Sequence, residues 1–90
     1  MPHSGPDGAP RILLVRFSSI GDILLTTPLI RALRTRHPGA RIDALTKPSF
    51  APLLSDNPHL SNVLFPGPDE SLGSLAGRLR EARYTHRLDL

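Results

Sequence analysis

Between two hydrophobic segments stand Ser18, Ser19, Ile20, Gly21 and Asp22, the residues whose types and spacing best suit chemistry. They follow the apolar run Ile12-Leu13-Leu14-Val15, and Arg16 ends that run. A carboxylate in such a loop takes a proton from a hydroxyl nucleophile when the two lie within about 3 Å. An Asp at the start of a helix also caps or charges the helix end, where the dipole and backbone donors make it a weaker base. Residue types alone leave both readings of Asp22 open, and the basic reading needs a partner surface that dries the site. Ser18 and Ser19 suit a turn and cap or hydrogen bonds to a substrate. Arg16 suits a phosphate or carboxylate, or plain solvent. Gly21 permits a tight turn. The loop has no GxGxxG dinucleotide fingerprint and no Gly-Lys-Ser/Thr of a Walker A loop.

Composition narrows the remaining chemistry. The four His, at 3, 37, 59 and 86, have no metal-ligand spacing, and Cys is absent. No metal and no cofactor are therefore expected, and a disulfide-held scaffold is excluded. The net charge is +3, and ten of the eleven basic residues are Arg. Only four aromatics, Phe17, Phe50, Phe65 and Tyr84, accompany them, so nucleic acid is not the expected partner. No apolar run approaches the ~20 residues of a membrane-spanning helix. The first ten residues lack both a basic start and an apolar stretch, so they do not read as a signal peptide. A cytoplasmic setting is expected.

The elements that must position the loop follow from the same string. With 90 residues the chain holds one small domain. Five of its 17 Gly and Pro fall in residues 1–10, which read as a disordered leader before a folded unit over 11–90. The apolar run over 11–17 suits a strand covered on both faces. Residues 23–37 have helical periodicity, with Ile23, Thr26, Ile30 and Leu33 on one buried stripe and Arg31, Arg34 and Arg36 on the outer side. Pro28 predicts a short first turn and then a kink or a fresh helix start. A second strand over 41–46, a short helix over 48–54 burying Phe50, Leu53 and Leu54, and a third strand over 62–65 follow. A helix over 71–83 carries Leu72, Leu75, Ala76 and Leu79 on one face, and 84–90 reads as a fourth strand. Strict alternation predicts an α/β fold, β-α-β-α-β-α-β, with a Rossmann-like parallel sheet in the order 3-2-1-4. Ligands of such sheets bind beyond the carboxyl ends of the strands where the order reverses, which is beside the first strand and its loop. A sheet that stops at its fourth strand leaves an uncovered edge, so the chain is expected to be a fragment, a truncated product or the first half of a larger domain.

Residues 11–28, RILLVRFSSIGDILLTTP, closely resemble the opening of glycosyltransferase family 9, the ADP-heptose:lipopolysaccharide heptosyltransferases. The shared pattern is a hydrophobic strand, a basic residue, one variable residue, Ser, Ser or Ala, an aliphatic residue and Gly-Asp, then a helix with Thr-x-Pro. The segments 31–34, 37–43, 57–60 and 84–90 are similar as well. The resemblance implies the first part of the N-terminal, acceptor-side domain of a two-domain GT-B enzyme. It implies metal-independent, inverting transfer of heptose from ADP-heptose, bound mainly by a C-terminal domain, to the lipopolysaccharide inner core. Asp22 matches the general base. Arg16, Ser18, Ser19 and Gly21 match the acceptor side. The family's phosphorylated lipid substrate implies a place at the inner membrane surface, with Arg78, Arg80, Arg83 and Arg87 as anion or membrane contacts or as a solvated helix face. Two departures stand out. The donor domain is missing, so the chain alone is expected to be inactive. Phe17 replaces a residue that is often small. The alternative is a non-catalytic acceptor-binding or partner-binding half-domain of a split protein.

Overall fold

The fold was obtained as a computed structural model, which describes residues 9–17 and 19–90. The elements run β1 (Arg11–Val15), α1 (Ile20–Arg36), β2 (Arg41–Leu45), α2 (Ala51–Ser55), β3 (Asn62–Leu64), α3 (Leu72–Glu81) and β4 (His86–Asp89). All strand pairs are parallel, and the sheet order is β3-β2-β1-β4, as alternation predicts. Each strand is a little shorter than the range the sequence predicts for it.

Alternation along the strands divides the core into two layers. Ile12, Leu14, Ile42 and Ala44 face α1 and α2 and pack with Ile23, Ile30 and Leu54. Leu13 and Leu45 face the other way and pack with Leu75 of α3. Burial on both faces explains why β1 reads as a continuous apolar run.

Helix α1 departs from expectation. It is one helix through Pro28, without a break. Ile23, Thr26 and Ile30 form the buried stripe, while Leu24 and Pro28 face outward. The proline therefore frees a carbonyl on the solvent side, open to water, and the packed face is uninterrupted. Thr26 Oγ1 donates to Ile23 O at 2.6 Å, so its buried hydroxyl is satisfied. Leu33 is half-buried rather than buried.

Arg34 is not an outer-face residue. Its guanidinium donates to the carbonyls of Ala40 (2.7 Å), Pro38 (2.9 Å) and His59 (3.0 Å). It thereby ties the end of α1 to the entries of β2 and β3. Arg31 and Arg36 are exposed, as expected. His37 ends the helix through its backbone N–H, which donates to Leu33 O at 2.9 Å.

Two further corrections concern short helices. Helix α2 starts at Ala51 and buries Leu54, but Leu53 is 43% exposed because a five-residue helix has only one inward turn. In α3 Leu75 is buried, whereas Leu72 is 85% exposed and Ala76 is exposed too. Leu72 lies in the first turn, capped by Ser71 Oγ, which accepts from Ser74 N at 3.0 Å. Helix α3 ends at Glu81, and Arg83 takes a left-handed conformation (φ 55°) that turns the chain toward β4.

Candidate functional site

Strand β1 delivers Arg16 to the carboxyl edge of the sheet, where its amide donates to Leu45 O at 3.0 Å. β1 lies between β2 and β4, so this edge is where the strand order reverses. Ser19 is the N-cap of α1, and Asp22 is the third residue of the helix. Ser18 lies outside the described residues.

Asp22 is held through a single oxygen. Arg16 Nη2 stands 2.6 Å from Oδ2. Ser19 Oγ donates to the same oxygen at 3.2 Å, and the Ser19 amide reaches it at 3.4 Å. Among the described residues Oδ1 has no hydrogen-bond partner. The side chain is 47% exposed. The Arg16 hydrogen bond, then those from the Ser19 backbone and side chain, hold the Asp22 carboxyl below the ordinary value of 3.8. The structure thus brings together four of the five candidate residues, Arg16, Ser19, Gly21 and Asp22.

Gly21 makes no tight turn; it sits inside the first turn of α1. A Cβ at this position would meet nothing within 4 Å. The fold itself does not require glycine here. Without a side chain, the helix backbone next to Asp22 is open to close approach by a ligand.

The rest of this edge carries apolar surface. Phe17, Ile20, Leu24 and Leu25 are exposed beside the loop, at 37%, 54%, 50% and 73%. Two buried polar atoms at the ends of β1 and β2, Arg16 Nε and Thr46 Oγ1, have no partner among the described residues. Thr46 was not anticipated as a site residue. The signal was a hydroxyl at the end of an apolar strand, at the same edge as the loop.

The arginines of α3 and β4 lie elsewhere. Arg78 pairs with Glu70 at 3.0 Å and caps Phe65 O at 3.0 Å, which makes it structural. Arg80, Arg83 and Arg87 line a concavity of about 380 Å³ with Leu13, Leu79 and Tyr84 on the α3 face. Lys47 lies 6.0 Å from the centre of the Phe50 ring.

Sequence reasoning also missed Asp43, whose side chain is fully buried. It accepts from Arg41 Nε at 2.8 Å, Asn62 Nδ2 at 3.0 Å and the Tyr84 hydroxyl at 2.5 Å. Burial and then the bond to Asp43 push the Tyr84 phenol above its ordinary range, so it stays a donor. This cluster joins β2, β3 and the approach to β4. Among the described residues no group of His, Cys, Asp or Glu is placed to hold a metal ion, and no helix is long and apolar enough to cross a membrane.

No family model matches the chain. Curated relatives do. Lipopolysaccharide heptosyltransferase 3 of Escherichia coli is 47% identical over 45 residues, which is 50% of this chain and 13% of the relative. The same protein from strain K12 matches equally. Among solved structures, the E. coli ADP-heptose lps heptosyltransferase II superposes with a TM-score of 0.75 at 30% identity, over 88% of this chain and 24% of that one. The glycosyl transferase family 9 protein of Veillonella parvula DSM 2008 superposes with a TM-score of 0.74 at 21% identity, over 91% and 26%. The latter is a likeness of fold. The chain therefore spans about an eighth of the curated relatives and about a quarter of the solved chains. In sequence and in fold it is similar to glycosyltransferase family 9, as residues 11–28 predict, and its sheet is the Rossmann-like sheet of that GT-B fold.

Proposed function

We propose that this chain is the acceptor-side, base-carrying unit of a heptosyltransferase that moves heptose from ADP-heptose to the lipopolysaccharide inner core. The observation that carries the reading is the position of Asp22. It stands at the carboxyl edge of a parallel sheet, where the strand order reverses, with Oδ1 unengaged among the described residues and the side-chain-free Gly21 beside it. The similarity to heptosyltransferases supplies the substrate class.

In this reading an acceptor hydroxyl lies against Asp22. Its oxygen bonds to the anomeric carbon of the heptose as the bond from that carbon to the diphosphate breaks. The electron pair of that bond leaves with ADP, the anomeric centre inverts, and the hydroxyl proton passes to Asp22. Ser18, Ser19 and Arg16 hold the acceptor. No metal enters the step, and the donor is held by a second domain. The exposed Phe17, Ile20, Leu24 and Leu25 support an approach to the lipid part of the acceptor at the inner membrane surface.

The lowered pKa of Asp22 favours a second reading, in which Asp22 only caps α1 and the chain is a non-catalytic acceptor-binding or partner-binding half-domain. A transfer assay with labelled ADP-heptose and a heptose-deficient inner-core acceptor tests the first. The 90 residues alone are expected to give no transfer above the hydrolysis background, because nothing closes over the site. Supplying a donor-binding domain, in cis or in trans, is expected to restore it. Transfer at enzyme-like rates by the chain alone would show that it needs no second domain. A folded, donor-binding assembly without transfer would favour the half-domain.

A further inference from the structure

Strand register brings a second feature to the base. β1 and β2 pair Val15 with Leu45, and the bond from the Arg16 amide to Leu45 O continues the ladder. One step further sets residue 16 beside residue 46. Alternation puts both on the face of Ile12, Leu14, Ile42 and Ala44, the face that α1 covers. Thr46 is 1% exposed and its hydroxyl has no partner among the described residues, and Arg16 Nε, at the neighbouring strand end, is buried and unpartnered there as well. Buried polar groups are satisfied in the great majority of cases, so a donor and a hydroxyl left unpartnered on neighbouring strand ends at the ligand edge mark a place for an acceptor atom. Arg16 meanwhile uses only its outer nitrogen, on Asp22.

We propose that Arg16 is a positioning residue that an oxyanion on the acceptor draws away from Asp22 toward Thr46, so that acceptor binding itself uncovers the base. The inference rests on the proposed role of Asp22. A carboxylate tied to a guanidinium at 2.6 Å is a poor proton acceptor. A phosphate ester offers the guanidinium a bidentate partner of higher charge. Once Arg16 turns to it, Oδ2 loses its cation, and the negative ligand nearby raises the carboxyl further. Arg16, from the end of β1, is the one charged group in an ion pair with Asp22 among the described residues, and Ser19 supplies the other contacts from the cap. The base is therefore weak while the site is empty and strong once the acceptor is in place.

Carboxyl carbon NMR of the whole chain reads this without any transfer activity. Inorganic sulfate is the probe, because it keeps its double charge across the titration of an aspartate, and sodium chloride at equal ionic strength is the control. In wild type the Asp22 midpoint is expected to lie below 3.8 and to rise on saturation with sulfate but not with chloride. In Arg16→Gln it is expected to stand above the wild-type midpoint, still lowered by the Ser19 bonds, and to ignore sulfate. Arg16→Lys keeps a point charge without the fork, so its midpoint stays low and its sulfate response falls. The lysine variant decides the matter if the glutamine variant does not fold. A wild-type midpoint that sulfate leaves unmoved, or that chloride moves equally, overturns the proposal, as does an Arg16→Gln midpoint equal to wild type. If the coupling is seen but Asp22→Asn transfers normally, the switch is real and the base assignment is what fails.

Discussion

Asp43→Ala is expected to cost the chain about 3–5 kcal/mol, a large part of the roughly 5–15 kcal/mol that holds a native domain together. The carboxylate is fully buried and receives one charged and two neutral donors. Alanine leaves a cavity with the Asn62 amide and the Tyr84 hydroxyl aimed into it, and each buried unsatisfied donor costs about 1–3 kcal/mol. Arg41, one-third exposed, turns to water and limits the loss. Tyr84→Phe removes one donor, leaves the carboxylate two, and is expected to cost only about 1 kcal/mol. Urea midpoints followed by circular dichroism separate the two. Equal, small losses for both variants would show that the cluster does not hold β2, β3 and the approach to β4 together.

Asp22→Asn is expected to lower heptose transfer by about 10²–10⁴-fold in an assembly that contains a donor-binding domain, the range typical of a lost general base. Asparagine keeps the size and the capping oxygen of aspartate but cannot take up a proton at neutral pH. Binding of the acceptor is expected to hold or tighten, since the serines are still present and Arg16 no longer pairs with a carboxylate, so the loss appears in kcat rather than KM. The Asp22 carboxyl titrates lower in the folded chain than in the unfolded one. Its stabilising contribution is therefore complete above pH 3.8 and is lost as pH falls through the folded midpoint. The contacts of the Asp22 carboxylate are thus in place at the pH of the assay. Transfer by Asp22→Asn within threefold of wild type would reduce Asp22 to a helix cap.

The sheet was legible in the sequence because its cause is local. Clusters of Pro, Gly, Ser and Asp punctuate the string between the apolar stretches, and alternation with helical segments leaves one parallel order. What escaped depends on where a residue ends up. Pro28 reads as a breaker, yet its ring falls on the solvent side of α1, so the helix continues. Leu72 keeps the spacing of Leu75 and Leu79 but belongs to a first turn that has not reached the sheet. Arg34 looks like an outer-face residue, but its long stem carries the guanidinium to three carbonyls across the end of the helix. Asp43, alone between Ile42 and Ala44, finds Tyr84 41 positions away. At the site, the types and spacing of Arg16, Ser19 and Asp22 were legible. That Arg16 already occupies one oxygen of Asp22 was not, because it depends on the reach of one guanidinium over the helix start.

The central claim is that the loop after β1 receives the acceptor, and backbone amide NMR of the chain titrated with an inner-core oligosaccharide tests it most directly. The account predicts shifts centred on Arg16, Ser19, Gly21 and Asp22, reduced in a Gly21→Val variant that fills the open space beside the carboxylate. Shifts centred instead on Arg80, Arg83 and Arg87, or a spectrum unchanged at saturating acceptor, would contradict it.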